Sequence, residues 1–461
     1  MTSPEQEKDL ESDTSLKHDS SDNNGDLPPQ TSNPSEITRD QRAILRDTSK
    51  GQSPNETPSS DLPNPPNGGS TAWIQCIGSF CLWFAVWGLV NSSGVYQAYY
   101  EDVLLTNSSS SSISWIGSLQ LFLMIGGTSI IGPIFDRGYL RSLLLTGTFL
   151  IVFGLMMTSL CTAYWQFMLA QGVCMGLGMS CLFVPLVAVL PPYFTTRRAL
   201  AMGIAASGSS IGAIIFAIMF QQLQPKIGFG WAIRCIGFVV LASLAFPLVT
   251  MRKLVTQSPP RAFIDRSALK EWPFILTLPA MFLVFLGLYC PYFYIEVFSV
   301  QTHAASSEIT QYLIVFMNAG SLFGRLLPNI LADKVGPINT IITIAFITGA
   351  VGLSWIGVTA QPGIITFGVL YGFFSGSYVA LTAVVWAALS PNPRVLGTRI
   401  AMMTIPQAAG LLIGNPIGGT LVNGSSFLGL QLFCGLTVMS SGFFLVGARW
   451  AQIKAGAGWK G

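Results

Sequence analysis

From Ala72 onward the chain alternates long apolar runs with short polar connectors. About 20 helical residues cross the hydrocarbon core of a bilayer, so each run predicts one transmembrane helix. Twelve spans follow, near residues 72–96, 113–132, 141–159, 163–190, 199–221, 230–250, 273–299, 309–330, 337–358, 362–389, 399–422 and 426–449. The widest internal gap, 251–272, divides them six and six. The expected fold is an all-α membrane protein of twelve transmembrane helices. They form two pseudo-symmetric six-helix bundles, at 72–250 and 273–450, joined by a central linker at 251–272 and followed by a short tail at 451–461.

Residues 1–71 break the pattern. They are rich in Ser, Asp, Asn, Pro and Glu and hold no long apolar run, so they cannot bury enough surface to offset chain entropy. A disordered cytoplasmic tail is expected there.

Composition supports the membrane reading: 51% of residues are apolar and 10% are charged, which excludes an ordinary soluble protein of 461 residues. A formal net charge of +3 indicates neither a nucleic-acid binder nor a large anionic partner. The eight cysteines lie singly in apolar segments and read as small hydrophobes, without disulfide framework or metal site. The N-terminus lacks the basic start and apolar stretch of a signal peptide. No HExxH or Gly-Lys dipeptide occurs, so neither zinc-protease chemistry nor an ATP-binding loop is expected, and no cofactor.

Charge distribution sets the expected orientation. Fifteen Lys and Arg fall in the connectors after even-numbered spans, in the central linker and after the last span. One, Lys226, falls on the other side. Both termini and the linker are then cytoplasmic, most simply at the plasma membrane. The triplet NSS at Asn107 becomes an external glycosylation candidate.

The halves echo one another. Asp136 with Arg137 follows the second span, and Asp333 with Lys334 follows the eighth; Gly127 and Gly324 precede them at equal distance. Arg197, Gly208 and Gly212 repeat as Arg399, Gly410 and Gly414. Repeated halves suit a transporter with a midplane site between them. The acidic and basic residues of the two loops, Asp136, Arg137, Arg141, Asp333 and Lys334, are candidates for a cytoplasmic gate, pairing with each other or with facing helix termini. The plain alternative is that the bases obey the inside-positive bias while glycines make a tight turn.

The loops GPIFDRG and GRLLPNILADKVG resemble the loop signature of the major facilitator superfamily. GSFCLWFAVWGLVNSSGVYQAYYED, RRALAMGIAASGSSIGAIIF, GFGWAIRCIGF, YGFFSGSYVALTAVVWAALSP and GTRIAMMTIPQAAGLLIGNPIGG are similar, in combination, to the fungal branch of its monocarboxylate-porter family, over about residues 64–450. The resemblance implies two bundles rocking about a central cavity, and a small organic solute moved either inward as a nutrient or outward as a specialised metabolite. Three departures bear on mechanism. Asn67 stands where the family has an acid, and no Lys or Arg occurs between Thr71 and Tyr100. Ser321 replaces the aspartate that the carboxylate carriers place four residues before the arginine corresponding to Arg325. Proton-coupled lactate-type transport is therefore not implied, and the coupling ion is open.

Within the spans, Arg325 is the outstanding candidate, because an intramembrane base is expensive unless it faces water or a partner. It shares a helical stripe with Asn318, Ser321 and Asn329 and suits bidentate capture of a carboxylate; the alternative is a structural arginine near the gate. Trp83 and Trp87 are expected to pack, and Asn91, next in the stripe, to face the cavity. Tyr289, Tyr292 and Glu296 share a face of the seventh span, beside a bend expected at Pro291. Glu296 lies near the span's end, where an interfacial, water-exposed carboxylate is expected. Gly172 and Gly176, Gly208 and Gly212, Gly372 and Gly376, and Gly410, Gly414 and Gly418 predict close helix approach. The leading expectation is a secondary carrier, in the lipid bilayer, of a small organic solute, a carboxylate or a fungal metabolite of acidic or polar aromatic character. A sensor signalling through the tail and a channel are the competing classes.

Overall fold

The computed structural model describes residues 68–194, 197–254, 264–390, 393–422, 426–456 and 458, except the side chains of residues 198, 199, 333, 393 and 394. The expected tail to residue 67, most of the linker's middle and the extreme C-terminus lie outside them. The described residues belong to one unit, Asn64–Gly461. No strand occurs among them.

Eleven helices are long and apolar enough to cross a membrane. One of them, Leu200–Thr250, has 51 residues and would be about 75 Å long if straight, more than twice a hydrocarbon core. It breaks at Gly228, whose φ of 80° and ψ of 164° are not helical, shortly after Pro225. The break makes two crossings of one run, and the described residues thus give twelve.

The helices are α1 Ser70–Asn91, α2 Ser93–Tyr99, α3 Ser110–Gly126, α4 Thr128–Asp136, α5 Leu140–Thr158 and α6 Gly176–Ala188. The bent α7 covers Arg198–Thr250. After the linker come α8 Trp272–Gly287, α9 Cys290–Thr302, α10 Leu313–Val335 and α11 Pro337–Ser354, and then α12 Gln361–Ala388, α13 Pro393–Thr420 and α14 Leu428–Lys454. A π-helical stretch, Met168–Met175, runs into α6.

Three spans are interrupted, one at Gly127 between α3 and α4 and two near their middles. Ser92, with ψ near 2°, separates α1 from α2, and a turn at Leu288 and Tyr289 separates α8 from α9, with Pro291 in the first turn of α9. The same chain interval divides Asn91 from Leu288 as divides Gly127 from Gly324, so these two interruptions occupy matching places in the repeat. Proline is tolerated in a first turn because its missing donor is unneeded there.

The glycine spacings do close-packing work in matched fashion. A Cβ on Gly208 or Gly212 of α7 would run into the backbone oxygens of Phe80 and Phe84 on α1. One on Gly410 or Gly414 of α13 would run into those of Phe282 and Leu286 on α8. Large apolar side chains such as Leu145, Phe149, Phe443 and Trp450 point outward, as lipid-facing residues must.

Contacts between helices before and after the linker join α3 to α13, α7 to α10 and α2 to α9. At the end of the domain remote from the linker these contacts are tight. Ser111 donates to the Pro416 carbonyl at 2.9 Å, and Asn415 Nδ2 to Ser118 Oγ at 3.3 Å. Gly94 of α2 lies so close to the Tyr292 carbonyl that a Cβ there would collide with it. The far end is shut.

Candidate functional site

The two mid-span interruptions meet at one small pocket, lined by Asn91, Leu288, Tyr289, Tyr292, Arg325, Ser375, Gly376 and Val379. An interrupted helix exposes backbone where a side-chain environment can accept it, and this is where carriers place polar chemistry inside a membrane. The cavity encloses only about 10 Å³, far below the ~300 Å³ at which small-molecule sites begin. The pocket must widen to load a metabolite.

Arg325 projects from α10 and is 2% exposed. Its Nε donates to Ser321 Oγ at 3.3 Å, its guanidinium sits 5.8 Å from the centroid of the Trp83 ring, and Nη1 has no hydrogen-bond partner. No acid pairs with it among the described residues. Tyr292 and Ser375 share a hydroxyl contact at 3.2 Å across the pocket, joining α9 to α12. Trp87, Tyr289 and Phe285 form a stacked aromatic row beside it, with centroids 6.1 and 6.4 Å apart, and Trp83 stacks on Trp87 at 6.1 Å. Asn91 Nδ2 and Trp87 Nε1 are buried without partners. Two orphaned donors therefore line the pocket, Arg325 Nη1 and Asn91 Nδ2. A buried unmet donor costs about 1–3 kcal/mol, which an acceptor-bearing solute would recover.

The site residues expected from sequence divide into two sets. Arg325, Asn91, Tyr289 and Tyr292 come together at the pocket. Ser321 does not line it but accepts from Arg325 and packs on Gly376, while Asn318, fully buried, donates back to the Ile314 carbonyl at 2.9 Å. Ser321 thus supports the arginine, and Asn318 donates back into its own helix. Ser375, Gly376 and Val379 carried no signal in sequence, since serine and glycine in an apolar helix read as packing.

Among the candidate gate residues, Asp136 is buried at the end of α4, while Arg137, Arg141 and Lys334 are exposed; the Asp333 side chain lies outside the described residues. Lys253 of the linker donates to the carbonyls of Phe135 and Asp136, each at 3.2 Å, and lies over the Phe135 ring. A cation at a helix C-terminus complements its dipole.

The ion cluster at this end centres on Arg399, which entered the sequence reading only as a loop base and a repeat marker. Buried at the start of α13, it meets Asp265 at 2.9 Å and both oxygens of Glu271 at 2.7 and 2.6 Å, and it donates to the Leu389 carbonyl at 2.8 Å. The guanidinium ties the linker, the start of α8 and the end of α12 to α13. Hydrogen bonds from Ser267, and then the Arg399 guanidinium, hold the Asp265 carboxyl below its usual range against the opposing effect of burial.

The expected interfacial position of Glu296 is corrected: it is 3% exposed, one turn from Tyr292, with Oε1 unpartnered. The span's end is covered by other helices of the protein, which hydropathy along one segment does not register. Asn107 is exposed in the turn before α3, and its sequon partner Ser109 caps that helix by accepting from the Ser112 amide.

Comparison with known proteins agrees with this architecture. The family model of the Major Facilitator Superfamily matches residues 70–365. An MFS-type transporter, dbaD, of Emericella nidulans is 42% identical over 82% of this chain and 86% of its own. The aspyridones efflux protein apdF of the same organism is 38% identical over 88% of this chain and 83% of its own. The fujikurins efflux protein of Gibberella fujikuroi is 37% identical over 84% of each. In fold, the nucleoside transporter NupG superposes with a TM-score of 0.64 at 14% identity, covering 82% of this chain and 99% of NupG. The multi-pass helical chain thus belongs to the major facilitator superfamily and is a membrane transporter.

Proposed function

We propose that the chain is a secondary carrier that exports a planar organic anion, a specialised metabolite bearing a carboxylate or an equivalent acidic group, across the plasma membrane. The observation that carries this reading is the meeting of two buried, unpartnered donors, Arg325 Nη1 and Asn91 Nδ2, at a pocket lined by the Tyr289 and Tyr292 rings, with Trp87 stacked on Tyr289. A guanidinium offers paired N–H groups to a carboxylate, and flat rings offer a surface to a flat body. Export is supported by the relatives named as efflux proteins.

In this reading the linker end faces the cytoplasm, following its excess of basic residues. Residues 72–250 and 273–450 rock as two bodies about the pocket. The tight contacts at the far end belong to the posture closed to the outside, and the half-buried Trp83, Phe183 and Val379 lie on the loading side. Asp136, Arg137, Arg141, Asp333 and Lys334 form the cytoplasmic face that must close in the other posture, together with the Arg399 cluster.

The test is flux in vesicles carrying the purified full chain, with a panel of aromatic carboxylates and the matching neutral carboxamides, with and without an imposed proton gradient. Saturable movement of at least one carboxylate, with its carboxamide excluded, is expected. Equal movement of acid and amide would remove the anion from the proposal.

A further inference from the structure

Among the described residues, the buried Arg325, Arg399 and Arg449 are each accounted for by a partner or by the pocket, and Asp136 also has an interaction with its surroundings. Arg399 is neutralised by Asp265 and Glu271, Arg449 donates to Gln452 and to the Gly458 carbonyl, and Arg325 lines the pocket. Glu296 has none of these. It is 3% exposed on α9, Oε1 is without a hydrogen-bond partner, and no ion pair reaches it among the described residues. An isolated carboxylate in a dry interior costs far more than a neutral carboxyl group.

Its place gives a proton a use. Glu296 lies one turn beyond Tyr292 on the same face of α9, between the pocket and the far end. α9 is the helix that closes on α2, where Gly94 abuts the Tyr292 carbonyl, and on α3, where Gly117 abuts the Phe293 ring. We propose that Glu296 is a proton-binding site built into the outer seal: the seal closes over a protonated Glu296, and loss of that proton to outside water favours its parting. The proton is the ligand, and the step forms or breaks one carboxyl O–H bond. This rests on the reading of the chain as an alternating-access carrier.

The surrounding elements offer no competing counterion. α2 presents Tyr96 and Tyr99 and leads to Glu101 and Asp102; the Glu101 carboxylate already accepts from Gln97 at 2.9 Å and Ser110 at 2.7 Å. α3 carries no charge, α12 contributes Tyr371 and Tyr378, and the short helix Ser307–Thr310 has an exposed Glu308. On α10 the charges are Arg325, at the pocket, and Asp333 and Lys334 at the linker end. α13 and α14 carry Arg394, Arg399, Arg449 and Lys454 near their linker ends, with Cys434 the titratable group between.

Hydrogen exchange of the full chain in lipid nanodiscs reads the seal without any solute. The signals are the amides of 93–99 and 290–302, corrected for intrinsic rate, between about pH 5 and about pH 8. If closure binds one proton more than opening, the closed-to-open ratio falls by up to about tenfold per pH unit. That slope is expected in the wild type and in Glu296→Asp, and should vanish in Glu296→Gln, whose seal stays protected. A flat wild-type profile overturns the proposal whether or not the variant folds, and an equal slope in Glu296→Gln assigns the proton elsewhere and overturns it too. Failure of the anion-flux screen would instead sink the carrier reading, since exchange at the seal is measured independently of cargo.

Discussion

Replacing Arg325 by glutamine removes the charge from the pocket while retaining hydrogen-bonding groups and most of the volume. In the structure the guanidinium spends one N–H on Ser321 Oγ and leaves Nη1 free beside Tyr289 and Tyr292, so a bound carboxylate would gain a charge-assisted contact in a nearly dry site. Truncating one member of a buried, hydrogen-bonded charge pair costs about 2–5 kcal/mol, which corresponds to roughly 30-fold to 5,000-fold in affinity. Arg325→Lys keeps the charge but loses the fork, and should fall between the wild type and glutamine. The assay is concentration-dependent flux, in vesicles, of a carboxylate the wild type carries and of its carboxamide, after checking that each variant is monodisperse. Arg325→Gln should lose the preference for the acid. If acid and amide are still distinguished by the wild-type factor, the anion is recognised elsewhere and the guanidinium is structural.

Other perturbations have expected outcomes of their own. Arg399→Met strands Asp265 and Glu271 and should lower stability by about 1–3 kcal/mol in thermal unfolding. This is less than for a wholly dry pair, because Glu271 is 40% exposed. Because the Asp265 carboxyl is held below its usual range in the folded chain, its contribution is complete above the ordinary carboxylate pKa of ~3.9 and fades as pH falls through the lower folded value. Asp265→Asn should therefore weaken the chain at neutral pH and flatten the loss of stability below about pH 4, and an unchanged acid limb would contradict the assignment. Gly414→Ala places a Cβ against the Leu286 carbonyl, so α13 must shift from α8, at a cost of about 1–3 kcal/mol and a lower yield of folded protein. Asn107→Gln should abolish any glycan-dependent mobility shift of protein made in a eukaryotic host; a persisting shift would place the glycan elsewhere.

Hydrophobic patterning made the helical runs legible because a bilayer demands them, and it separated α7 into two crossings where helix length alone would not: the polar stretch around Lys226 and Gly228 marks the bend. Glycine spacing foretold close packing along α7 and α13, since only a missing side chain permits it, but not that the partners are α1 and α8. Arg325 was legible because charge in an apolar run is rare. The Arg399 cluster was not, because Asp265 and Glu271 read as ordinary linker residues until the fold brings them to α13. Nor was the pairing of two helix interruptions: Pro291 announces one, whereas Ser92 breaks α1 from α2 with no proline or glycine at the break. Glu296 was misplaced because position along a span gives depth, while burial depends on which neighbours cover that face.

The central claim is that the chain exposes one site alternately to its two sides. Countertransport tests it most directly: vesicles are loaded with a labelled carboxylate that the flux screen identifies, and its exit is timed with and without the same unlabelled carboxylate outside. An alternating-access carrier exchanges solute faster than it returns empty, so outside carboxylate should speed the exit of the label and the effect should saturate. Exit that is indifferent to outside carboxylate, and that grows in proportion to the inside concentration without saturating, would mark an open pore and contradict the account.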